Sequence, residues 1–178
     1  LKSANCFIIS EAGRYSFETV KGESNEEVGE VAGAEVLWES FGTDKYPSAG
    51  SLIKSVSYRD GEIIFKATDK KGNAVIAAKD ASGEILWSWH IWLTDQPKEQ
   101  KYHNNAGTVM DRNLGATSAT PGEATSLGLL YQWGRKDPFL GSSSIDRSIE
   151  ARSSLPSGHP AVQSDKKTGK VEYAIANP

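Results

Sequence analysis

The sequence predicts a mainly β chain, and three observations carry that expectation. Short apolar runs alternate with turn residues from Cys6 to Lys79, the spacing of a hairpin-rich domain. An Asp60-Gly61 pair stands between two such runs. A later run, Ile85-Leu86-Trp87-Ser88-Trp89-His90-Ile91-Trp92-Leu93, keeps a period of two along its length. A domain most often holds about 100–150 residues, so the 178 present predict two units.

Taken in order, Phe7-Ile8-Ile9 and Arg14-Tyr15-Ser16-Phe17 flank Glu11-Ala12-Gly13 and predict a first hairpin. Residues 23–30 are acidic and carry Gly, Ser and Asn, which predicts a solvated loop before the strand Glu35-Val36-Leu37-Trp38. The clearest hairpin joins Leu52-Ile53-Lys54-Ser55-Val56-Ser57-Tyr58 to Glu62-Ile63-Ile64-Phe65-Lys66-Ala67, because Asp-Gly supplies the positive φ of a tight turn. Ala74-Val75-Ile76-Ala77-Ala78-Lys79 then leads through Asp80-Ala81-Ser82-Gly83 into residues 85–93. There Ile85, Trp87, Trp89, Ile91 and Leu93 share one face and mark the centre of the core, while Ser88, His90 and Trp92 share the other.

Asp95-Gln96-Pro97-Lys98-Glu99-Gln100-Lys101 is polar, contains proline and interrupts the β pattern, which places a boundary there. Beyond it, residues 108–114 predict a short strand, and residues 126–133 a short helix closed by Gly134. Residues 141–170 read as a long Ser-, Gly- and Pro-rich loop, followed by an apolar stretch, Val171-Glu172-Tyr173-Ala174-Ile175, with no evident partner.

Composition disfavours several functions. A net charge of −3 and the lack of a basic run interleaved with aromatics disfavour nucleic-acid binding. No window approaches the roughly 20 apolar residues of a membrane helix, so no membrane-spanning segment is expected. Cys6 is the only cysteine; it excludes an internal disulfide, and the following apolar run makes it a buried, inert thiol. Ser51-Leu52-Ile53-Lys54 and Lys167-Thr168-Gly169 match fragments of the penicillin-recognising enzymes. The alternation of residues 52–58 argues for a strand that separates Ser51 from Lys54, and Ser-Asp-Asn does not occur. His90, His103 and His159 have no second ligand at metal-like spacing. The expectation is therefore no catalytic residue, no metal and no cofactor. Flat aromatic faces stack on sugars, which makes Trp92, Tyr131, Trp133 and the neighbouring Arg135 candidate ligand contacts. For Trp92, and equally for Tyr131 and Trp133, the competing expectation is core or interface, and for Arg135 a helix C-terminal charge.

Two stretches resemble known families. Gly72-Asn73-Ala74-Val75-Ile76-Ala77-Ala78-Lys79-Asp80-Ala81-Ser82-Gly83, closed by Trp87-Ser88-Trp89-His90-Ile91-Trp92-Leu93, is similar to fimbrillin-like surface lipoproteins of gut Bacteroides-type bacteria. So is Met110-Asp111-Arg112-Asn113-Leu114-Gly115-Ala116, with Gly128-Leu129-Leu130-Tyr131-Gln132-Trp133-Gly134-Arg135-Lys136-Asp137-Pro138-Phe139. This second stretch also resembles the start of the Fibrobacter succinogenes major paralogous domain, a family associated with C-type-lectin-like and formylglycine-generating-enzyme-like folds. Members of that family continue with Cys-Pro-x-Gly-Trp-Arg-x-Pro, which does not occur here, so the second unit is expected to be partial.

The resemblance implies an immunoglobulin-like β-sandwich over residues 1–98, followed by a smaller, incomplete C-type-lectin-like α+β unit over residues 103–178. It implies an exported protein, anchored at the outer membrane in its full-length precursor. Such a protein acts without catalysis in adhesion or pilus assembly, with other surface or pilus subunits or glycans as partners. The alternatives are a carbohydrate-binding module of a surface glycan-binding protein, and an enzyme on a formylglycine-generating-like scaffold.

Overall fold

The computed structural model describes residues 3–43, 47–140 and 171–178. Strand accounts for 41 % and helix for 6 % of the described residues, so they are mainly β as expected. The strands are β1 (Cys6–Ile9), β2 (Gly13–Glu18), β3 (Gly33–Ser40), β4 (Ile53–Arg59), β5 (Glu62–Ala67), β6 (Gly72–Lys79), β7 (Ile85–Leu93), β8 (Glu99–Lys101) and β9 (Thr108–Met110). They form a four-stranded sheet in the order β1-β7-β6-β3, a three-stranded sheet in the order β2-β5-β4, and the ribbon β8-β9.

One apolar core lies between the two larger sheets. Phe7, Ile9, Ile76, Trp89, Ile91 and Leu93 enter it from the first, and Phe17, Ile53, Ile63 and Phe65 from the second. Phe17 is its hub, stacked on Phe7 at 4.7 Å between centroids and tilted against Trp89 at 5.0 Å. Such aromatic pairs add about 0.5–1.5 kcal/mol each beyond the area they bury. The alternation predicted for residues 85–93 holds: Trp89, Ile91 and Leu93 are buried in this core, with Trp87 packed at its margin.

The two turn-based hairpins form as the sequence predicts. Asp60 and Gly61 both have positive φ, 51° and 85°, and they join β4 to β5 in a two-residue turn. Between β6 and β7, the Asp80 carboxylate accepts hydrogen bonds from the Ser82 and Glu84 backbone N–H groups, both at 2.9 Å. Residues 23–30 are an irregular loop, as expected.

Three expectations are overturned. The first two strands are not a hairpin: β1 runs parallel to β7, and β2 pairs antiparallel with β5 in the other sheet. Gly13 has no positive φ, so residues 10–12 form a corner between sheets that lets Phe7 and Phe17 meet across the core. Residues 126–133 form no helix beyond a 3-10 turn at Ala124–Ser126. Gly128 adopts φ 75°, which breaks any helix, and Leu130 instead bridges Phe139. Residues 171–175 are not without a partner: Val171–Ala176 forms helix α1 against β7, with Ala174 buried.

The polar stretch 95–101, expected to interrupt the β pattern, contains β8, and of the strand predicted over residues 108–114 only Thr108–Met110 forms, paired with β8. The predicted loop at 141–170, His159 and Lys167-Thr168-Gly169 lie outside the described residues. Ser51 precedes β4 and Lys54 lies within it, so the Ser-x-x-Lys fragment sits on no helix. No helix among the described residues is long and apolar enough to cross a membrane.

Candidate functional site

Strand β6 is buried at every position from Gly72 to Ala78, so both of its faces are covered. One face lies on the core. The other carries Asn73 and Val75, beside Ser88, His90 and Trp92 of β7, and residues 113–140 lie over it. Side chains clamp this covering segment to the sheet. The Asn73 Nδ2 amide donates to Gly115 O at 2.8 Å, and the Trp92 indole N–H to Ala116 O at 3.0 Å. Ser88 Oγ donates to Asp137 Oδ2 at 2.8 Å, and Lys136 Nζ returns a hydrogen bond to Ser88 O at 2.7 Å and an ion pair to Asp137. Leu129 fills the apolar part of this face against Trp38 and Val75.

Within this layer Cys6, His90 and Asn73 form a hydrogen-bonded chain. Cys6 Sγ lies 3.2 Å from His90 Nδ1, and His90 Nε2 lies 2.9 Å from Asn73 Oδ1. Only the amide nitrogen of Asn73 can donate to the Gly115 carbonyl, so its oxygen faces His90, and Nε2 must carry the imidazole proton. Burial holds His90 neutral, with its pKa lowered to about 3, so Nδ1 is a bare acceptor for the Cys6 S–H. Cys6 is exposed as a residue, but its sulfur is turned onto the buried ring. Burial, followed by the charge of Asp137, pushes the thiol up to about 12.

The order Cys-His-Asn is also that of a thiol hydrolase triad, and neither the histidines nor Cys6 suggested it in the sequence, because Asn73 lies 67 positions from Cys6. Such chemistry requires a thiolate beside an imidazolium. Here both groups are driven to their neutral forms, and His90 is sealed at 2 % exposure. The arrangement suits a hydrogen-bond relay that holds the covering segment in register.

The candidate ligand contacts fall into different environments. Trp92 is 1 % exposed and belongs to the clamp. Tyr131 is 45 % exposed; burial, then Cys6 and Asp137, raises its hydroxyl above the phenol range. Trp133 is 95 % exposed, and Leu130 beside Tyr131 is exposed as well. Arg135 is half-buried, with its guanidinium 4.2 Å over the Phe139 ring and its Nε donating to Asp137 O at 3.2 Å. Burial lowers its pKa, and it caps no helix. Trp133 thus faces outward, Tyr131 is partly exposed with its hydroxyl under the influence of Cys6 and Asp137, Arg135 is half-buried, and Trp92 is sealed in the clamp.

A second anchor fixes the ribbon. The Arg112 side chain, 4 % exposed, donates to Asp95 Oδ2 at 2.9 Å, to Asp111 Oδ1 at 2.8 Å and to Thr94 Oγ1 at 3.0 Å. These bonds hold the Asp95 and Asp111 carboxyls below the usual carboxylate range, Lys71 assisting at Asp95. Beside this anchor, Thr108, Val109 and Met110 form one wall of an open groove of about 740 Å³. His103 is exposed in the turn of the ribbon. No group of three or more metal-ligating side chains occurs among the described residues. In comparisons with known proteins, no family model, no curated protein and no solved structure matches this chain.

Proposed function

We propose that the chain is a non-catalytic contact module of a cell-surface adhesive or pilus-associated protein of a gut bacterium, exported and held at the outer membrane through its full-length precursor. In this reading an immunoglobulin-like sandwich over residues 1–98 is the scaffold, and a partial lectin-like unit from residue 103 is the display. The observation that carries the proposal is Trp133, 95 % exposed on a segment whose flanks are clamped to the sheet by Asn73, Ser88 and Trp92. A fully exposed indole on a fixed backbone offers a flat apolar face at little further ordering cost, which suits stacking on a sugar ring. An enzymatic reading on a formylglycine-generating-like scaffold would need a reactive thiol, and the raised Cys6 pKa speaks against one.

The test is a glycan-array screen of the chain beside Trp133→Ala, a surface substitution that leaves the clamp intact. Saturable glycan binding that is lost in Trp133→Ala is the expected result. A wild-type chain that binds no glycan, or a variant that binds as well as wild type, overturns the glycan-contact reading.

A further inference from the structure

Among the described residues strand β9 has an unpaired backbone edge, and we propose that the groove beside it binds an extended, uncharged peptide segment of a partner protein by strand addition to β9. The backbone register supplies the first part of the argument. Asp111 N donates to Lys98 O at 2.9 Å, and Tyr102 N to Gly107 O at 3.0 Å, on either side of the Gln100–Val109 pair. Antiparallel pairing alternates, so residues 107, 109 and 111 direct their backbone groups to β8, while Thr108 and Met110 direct theirs away. Among the described residues the ribbon has two strands and nothing pairs with that outer edge.

The groove adjoins this strand. Thr108, Val109 and Met110 line one side, and Ser118, Ala119 and Pro121 are further lining residues. Three consecutive strand residues along one wall mark an edge, because a strand face would present alternate residues. Asp111 and Arg112 are the only charged residues in the lining, and they are bonded to each other. The groove therefore offers no unpaired charge to a phosphate, a carboxylate or an amine. Val109, Met110 and Leu114 add apolar surface that is 47 %, 41 % and 47 % exposed. Outward N–H and C=O groups at two-residue spacing beside apolar side chains match an extended polypeptide. The Arg112 anchor keeps the edge in place before the partner arrives. The proposal is independent of the ligand at Trp133.

The experiment is selection from a displayed library of random linear heptapeptides against the whole chain, followed by titration of the enriched peptides against Met110→Pro and Val109→Pro. Proline at 110 removes an N–H that the ribbon does not use, whereas proline at 109 removes one that it does. Enriched peptides with alternating apolar residues, bound about tenfold more weakly by Met110→Pro while its melting temperature holds, are the expected result. Backbone amide shifts confined to residues 108–114 and 118–121 would place them in the groove. No enrichment, or equal binding by Met110→Pro, overturns the proposal. Self-association of the chain that Met110→Pro abolishes would overturn it in favour of a second copy as occupant.

Discussion

His90 and Asn73 meet diagonally across β7 and β6, with Nε2 2.9 Å from Oδ1, and this contact joins the four-stranded sheet to the segment that covers it. Asn73 is fully buried and has an essential partner on each side, His90 and the Gly115 carbonyl. Asn73→Ala therefore orphans a buried donor and a buried acceptor together and opens a small void. The expected loss is about 2–4 kcal/mol in urea unfolding. A loss below about 0.5 kcal/mol, the range of a neutral surface substitution, would show that the relay carries no load.

The same relay makes stability depend on pH. His90 titrates near 3 in the folded chain and near 6.5 when unfolded, so between those values the unfolded state binds the extra proton. Stability is then full above pH 6.5 and falls as pH drops toward 3, with a slope of about 1.4 kcal/mol per pH unit. The Asp95 and Asp111 carboxyls, held low by Arg112, lose their contribution only below the ordinary value of 3.8. Urea midpoints measured from neutrality down to about pH 4.5 thus isolate the histidine. His90→Gln should flatten the slope in that window, and an unchanged slope would assign it to another group.

Cys6 gives the complementary result. Its thiol is raised from 9.0 to about 12, so near neutrality the folded chain holds far less thiolate than a free cysteine. Iodoacetamide should modify the native protein on the order of a thousandfold more slowly than the urea-unfolded chain at about pH 8. Modification at the free-thiol rate would reopen the hydrolase reading of Cys6, His90 and Asn73. The sign at high pH is opposite to that of His90: the folded thiol keeps its proton longer, so this contribution to stability is lost as pH rises above 9.0.

The hairpins at Asp60-Gly61 and 80–83 were legible because turn chemistry is local: two positive φ values and one aspartate cap settle them. The face assignment in β7 was legible for the same reason, since period two needs no knowledge of a partner. The pairing of β1 with β7 joins residues more than 80 positions apart, and nothing near Gly13 records it. The buried relay was hidden likewise. Asn73 opens an apolar run and His90 stands within a tryptophan-rich one, and only the order of strands brings them together. Residues 126–133, closed by Gly134, read as a short helix. Leu129 is in fact spent on the back face of the sheet, and Leu130 is left outside.

Gly128 tests that last reversal. Its φ is 75°, and a Cβ there would lie 2.5 Å from the Leu114 carbonyl oxygen and 3.0 Å from the Asn113 Cβ. The crowding atom is backbone, so it cannot swing aside as a side-chain tip would. The same chain passage carries the hydrogen bond from Leu129 N to Leu114 O at 2.9 Å, so relieving the clash would stretch it. In a helix, Gly→Ala at this position would add about 1 kcal/mol of stability through propensity. In the observed backbone, left-handed strain and the clash reverse the sign, and Gly128→Ala should cost about 2 kcal/mol or more. Thermal or urea unfolding separates the two outcomes by sign alone. A stabilised variant would mean that the segment is helical, and that Leu129 does not seal the sheet against Trp38 and Val75.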